Sequence, residues 1–140
     1  MAERATASGG PPPLVRVAVS PGELIDKISI LELKSERMTD QAKVANVTHE
    51  LGVLREEARR HVPSDETVAR LTAGLKAVNA RLWDLEDEIR DCERRKDFGA
   101  AFIGHARAIY RTNDERAELK KHLNLHLGSA IVEEKSYAAY

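Results

Sequence analysis

Arg116 stands where a core residue should. A stripe counted from Phe98 in steps of four and three runs through Phe102, His105, Ile109, Thr112, Arg116, Leu119, Leu123 and His126. Its ends are apolar, but His105, Thr112 and Arg116 interrupt its middle, and Tyr110, Asn113 and Asp114 crowd the same two turns. A polar side chain on a core stripe costs stability unless a partner satisfies it, so this cluster predicts a hydrogen-bonded network or a ligand pocket. A guanidinium in such a place reads planar anions, carboxylate or phosphate, through paired N–H donors. The alternative is a stripe that shifts by one residue, with the Arg116 stem packed and its head in water.

A second interruption lies near the other end of the chain, where Asp26 and Lys27 fall between the apolar positions Ile25 and Ile28. If the two segments pack side by side, Asp26 and Lys27 meet Asn113 and Arg116 in a mixed-charge site. Arg116 then clamps an anion, Asn113 and Asn124 orient it, and Lys27 or Lys120 adds a second cation. Asp26, Asp114 or Glu134 is the candidate base. The run Glu133-Glu134-Lys135-Ser136-Tyr137 can fold back over the site and bring Lys135 and Tyr137 to it. Ordinary solvated pairing accounts for part of the same pattern, since Glu23 and Lys27 have i,i+4 spacing. No pair has a spacing that dictates a reaction, so enzyme activity is left open. His122 and His126 share a helical face, but no third ligand accompanies them, and cations near a helix C-terminus are the simpler explanation. No metal or cofactor is expected.

The elements that must position these residues are helices. Ser20-Pro21-Gly22-Glu23 gives an N-cap, a proline in the first turn and an acid able to complete a capping box. Leu24, Ile28, Leu31, Ser35 and Met38 then mark a helix over about 21–38. Asp40 opens a second, about 40–61, which Pro63 stops. Ser64-Asp65-Glu66 caps a third, about 65–96. Its seam of Val68, Leu71, Leu75, Val78, Leu82, Leu85, Ile89 and Cys92 keeps a seven-residue repeat, the signature of supercoiled packing. The short connection at 61–64 makes the second helix its expected antiparallel partner in a long coiled-coil-like hairpin. A fourth helix, about 98–127, follows Asp97 and ends at Gly128. Leu14–Val19 alternates and predicts a short strand at 14–19; residues 1–13, rich in Gly and Pro, read as a disordered lead-in. The expectation is an all-α fold in a single helical domain over 14–140.

Composition agrees. Aromatic residues make up only 4% and charged residues 32%, the balance of helices rather than sheets. A net charge of −1 supplies no general attraction to nucleic acid, and Asp114, Glu115 and Glu118 interleave with the basic residues of the fourth helix. One cysteine, Cys92, allows no intrachain disulfide and falls on the apolar seam. No apolar run reaches the ~20 residues that span a bilayer, and MAERATASGGPPP lacks the hydrophobic stretch of a secretory signal. A cytoplasmic protein without membrane attachment is expected.

Two segments, VRVAVSPGELIDKISILELKSER from Val15 and IYRTNDERAELKKHLNLHLGSAIVEEKSY from Ile109, resemble a family of short bacterial helical proteins with a domain of unknown function. The motifs GELIDKI-x-ILE-x-K and NDERA-x-LK carry the resemblance. It implies no established activity; it does imply a setting near glycosyltransferases of surface-polysaccharide synthesis. The two signatures coincide with the segments whose charges the helices do not need.

Two functions follow. The first is a non-catalytic helical interaction or scaffold module, with a protein partner or self-association through the hairpin. The alternative is a small-molecule or nucleotide-sugar binding protein, or an enzyme, acting on an anionic phosphate or carboxylate substrate.

Overall fold

The computed structural model describes residues 13–140 and holds four α-helices: α1 (Pro21–Arg37), α2 (Gln41–His61), α3 (Glu66–Arg94) and α4 (Ala100–His126). The lead-in expected at 1–13 lies, apart from Pro13, outside the described residues.

Local chemistry sets the helix ends. The Ser20 hydroxyl accepts from the Glu23 N–H at 3.1 Å, and the carboxylates of Asp40 and Asp65 accept from Lys43 and Val68 at 3.0 and 2.7 Å. Each satisfies a donor that has no partner inside its own helix. Two helices close alike. At the end of α3, Lys96 N–H bonds the Glu93 carbonyl at 3.1 Å and Asp97 N–H the Cys92 carbonyl at 2.9 Å. At the end of α4, Gly128 and Ser129 repeat the pair on Leu125 and Asn124 at 3.2 and 2.9 Å. This closure needs a left-handed residue, and the two here are Lys96 (φ 57°) and Gly128 (φ 63°). The expected Asp97 cap is displaced: Gly99 caps α4, and Asp97 accepts from the Gly99 N–H at 3.1 Å.

The packing differs from the expected hairpin. α2 lies against α1 and α3 against α4, while α1 touches all three other helices; α2 and α3 do not pack on each other. Polar contacts along α3 and α4 run antiparallel, from Asp65 with His126, through Arg81 with Thr112, to Glu88 with His105. The α3 seam therefore exists but meets α4 and α1. A short connection brings two helix ends together without obliging the helices to fold side by side, and the extended Val62 (φ −109°, ψ 113°) lets α3 leave along another line. Leu85 and Ile89 of that seam are half-buried beside α4, and Cys92 is buried.

Two apolar clusters result, and α1 feeds both. Ile25 joins Val68, Leu71, Leu75 and Leu123, with Val62, Leu119 and Leu127 at the margin. Leu31 joins Val47 and Leu51, with Ile28, Met38 and Leu54 at the margin. Ion pairs flank them: Arg55 with Glu32, Lys76 with Glu36, and Arg37 with Asp84, the Arg37 guanidinium also lying 5.7 Å from the centre of the half-buried Trp83 ring. The strand expected at 14–19 does not form. Among the described residues no strand offers an edge to pair with, and Val15 and Val17 stand exposed. Among the described residues no helix is long and apolar enough to cross a membrane.

Gly22 controls how closely α1 approaches α4. A Cβ there would lie 2.6 Å from the Lys120 carbonyl oxygen and 2.8 Å from Asn124 Oδ1, so only glycine lets the first turn of α1 touch α4.

Candidate functional site

The polar interruptions of α1 and α4 meet. Asp26 is fully buried between α1, α3 and α4 (0% exposed). Arg116 lies along its carboxylate with Nε 3.0 Å from Oδ1 and 3.1 Å from Oδ2, and Nη2 also donates to Oδ2. Asn79, from α3, donates through Nδ2 to Asp26 Oδ1 and to Ser29 Oγ, both at 2.8 Å. The Ser29 hydroxyl donates to the Asp26 carbonyl at 2.8 Å. One carboxylate thus ties three helices together, and among the described residues no buried side-chain polar atom lacks a partner. The Asp26 hydrogen bonds raise the Arg116 pKa above its ordinary value, partly opposed by burial, so the guanidinium stays charged. Thr112, also buried, accepts from Arg81 Nη2 at 2.9 Å, and the same nitrogen reaches Glu115 at 2.9 Å.

A second node sits at the start of α1. Asn124 accepts from the Gly22 N–H through Oδ1 at 2.8 Å, which fixes its amide and turns Nδ2 toward Glu133 Oε2 at 2.9 Å. The Ser20 hydroxyl donates to Glu133 Oε1 at 2.6 Å. Lys120 donates to Glu23, and Lys27 stands 3.8 Å from the other Glu23 oxygen. Burial pushes the Glu133 carboxyl up. The Ser20 hydrogen bond, its own backbone, the Lys120 charge and the Asn124 amide together outweigh that and hold it below the usual range.

The tail does fold back. After Gly128 it runs along the outer face of α4, where Lys135 and Tyr140 both donate to Asp114. Tyr140 also meets Tyr110 edge to face at 4.9 Å and lies under the Arg111 guanidinium at 5.8 Å. Between tail and helix is an open groove of about 1460 Å³, lined by residues that include Tyr110, Asn113, Arg116, Lys120 and Lys121. The hydrogen bonds from Lys135 and Tyr140 lower the Asp114 pKa.

The ten residues singled out in the sequence therefore divide. Asp26 and Arg116 pair directly, and Arg116, Lys120, Asn113 and Asp114 line the groove with Glu134, Lys135 and Tyr137 from the tail. Asn124 belongs to the second node. Lys27 does not join them: it is exposed, and among the described residues its ion-pair partner is Glu23. Asn79, Ser29, Arg81 and Glu133 are the partners that sequence reasoning missed. The available signal was slight: Asn79 follows the seam residue Val78, and Ser29 sits three residues beyond Asp26. Among the described residues no group of three His, Cys, Asp or Glu side chains is placed to hold a metal. His126 is engaged by Asp65 at 2.8 Å, and His122 approaches Glu118 at 3.8 Å.

These features define an all-α domain with a charged centre buried where three helices meet and a groove under its own tail. Residues 15–140 match the model of a family of unknown function (DUF6165), and the chain belongs to that family. No curated protein and no solved structure matches it.

Proposed function

We propose that this chain is a non-catalytic binding module that holds an anionic partner along the outer face of α4. The observation that carries the reading is the state of Arg116. Asp26 holds Nε and Nη2, the side chain lines the groove, and among the described residues Nη1 has no acceptor. A guanidinium fixed on one edge and open on the other is a preorganised anion donor, since the entropy of positioning it is lost on folding rather than on binding. Lys121 adds charge; its nearest acid, Glu134, is 3.8 Å away, beyond hydrogen-bond range.

Two of the three candidate bases argue against proton transfer. Asp26 is sealed and fully engaged, and the hydrogen bonds from Lys135 and Tyr140 lower the Asp114 pKa and so make it a weak base. Because α2 and α3 do not pack as the expected hairpin, the reading places the partner on α4 rather than on that hairpin. The groove volume keeps one further reading, a phosphorylated or carboxylate small molecule in place of a macromolecular partner.

Isothermal titration of the full chain with inorganic phosphate, citrate, sugar phosphates and an oligoglutamate peptide tests the proposal. At least one anion is expected to bind, and Lys121→Glu is expected to abolish the heat while leaving the helical circular dichroism unchanged. Binding by none of them, or binding indifferent to Lys121→Glu, overturns it.

A further inference from the structure

The tail is an extended acidic segment seated on the face to which an anionic partner is assigned, and it is held there almost wholly by polar contacts. Glu133 is gripped by Ser20 and Asn124, Glu134 approaches Lys121, and Lys135 and Tyr140 converge on Asp114. Residues 133–140 are all exposed, so little apolar area anchors them. Exposed ion pairs hold weakly and exchange readily.

The receptor for Glu133 is built without the tail. Ser20 Oγ is held by the Glu23 N–H and Asn124 Oδ1 by the Gly22 N–H, so the Ser20 hydroxyl and the Asn124 amide hydrogens are placed at the Glu133 position by groups outside the tail. Two donors already fixed in place form a stronger, charge-assisted pair of hydrogen bonds with a carboxylate than with water, which favours exchange of one carboxylate for another over simple vacancy.

We infer that the outer face of α4, with the Ser20–Asn124 pair at its end, is a docking surface for an extended acidic peptide segment of a partner protein, and that the tail is its built-in competitor. This rests on the binding reading above and names the partner class. The partner carries adjacent carboxylates, the first seated on Ser20 and Asn124 and the second beside Lys121. The tail competes at high effective concentration, because Glu133 lies only nine positions from Asn124. A partner in trans therefore binds tightly only when the tail is loosened.

The test is fluorescence anisotropy with a labelled peptide of residues 129–140, titrated with the full chain. Three forms of the chain are compared: wild type, Glu133→Gln/Glu134→Gln, and Lys135→Glu, which loosens the tail at a different contact by repulsion from Asp114. Both variants are expected to bind the peptide about tenfold or more tightly than wild type. A peptide carrying Glu133→Gln is expected to lose most of that gain. The inference is overturned if neither loosened chain binds more tightly, or if the altered peptide binds as well as the original. Should citrate or phosphate still bind in a Lys121-dependent way after such a failure, the binding reading stands and the acidic-segment partner falls.

Discussion

Arg116 and Asp26 are 90 positions apart in the chain and lie edge to edge, with the carboxylate buried and one side of the guanidinium facing the groove. Removing the cation alone strands a charge in the interior, so Arg116→Ala is expected to cost about 3–5 kcal/mol. Replacing both partners by apolar residues of similar volume, Asp26→Leu with Arg116→Met, is expected to restore most of it. Urea unfolding followed by circular dichroism measures both. Equal losses in the single and double variants would show that the pair is not the source of the effect.

Asn79 looks like a flaw in an apolar helix face, and helix propensity favours leucine there. The two 2.8 Å hydrogen bonds it donates to Asp26 and Ser29 reverse that expectation. Asn79→Leu is expected to destabilise by about 1–3 kcal/mol, because the buried acceptors lose their donor. A midpoint equal to or above wild type in the same urea titration contradicts this.

How far the sequence disclosed the molecule depends on how local each signal was. Ser20, Asp40 and Asp65 announced their helices because a cap is decided within four residues, and all three accept the expected backbone N–H. The convergence of Asp26 and Arg116 was legible because each is a polar group on a core stripe and needs a partner. What stayed hidden was which helix meets which. The α3 seam fits any apolar neighbour, and the discriminating residue was Asn79, whose need for Asp26 draws α3 to α1. Glu133 read as one more tail acid, since its significance lies in Ser20 and Asn124. The alternation of Leu14–Val19 failed for the opposite reason: it is a local pattern, but a strand exists only against another edge.

The two left-handed helix closures put different residues at the positive-φ position, Gly128 in one and Lys96 in the other. A side chain in that conformation costs roughly 1 kcal/mol. Lys96→Gly is therefore expected to raise stability by about that much, and Gly128→Ala to lower it similarly. Thermal melts of the two variants should move in opposite directions, and parallel movement would refute the account.

Acid should lift the tail from α4. Asp114 and Glu133 both titrate below their ordinary values of 3.8 and 4.5 when docked. Their contribution is complete above those values and is lost as pH falls through the lower docked ones. Amide resonances of residues 131–140 should hold their docked positions at pH 6 and move toward random-coil shifts below 3.8, while helical circular dichroism persists. Tail resonances that move already between pH 7 and 5 would rule out these two carboxylates as the cause.

α2 leans on α1 and on no other helix, whereas α1, α3 and α4 brace one another around Asp26. Breaking that single seam frees Val47 and Leu51 but leaves the three-helix knot tied. The segment Gln41–His61 is thus the first of the four helices to unzip, exchanging its amide hydrogens well before α1, α3 and α4.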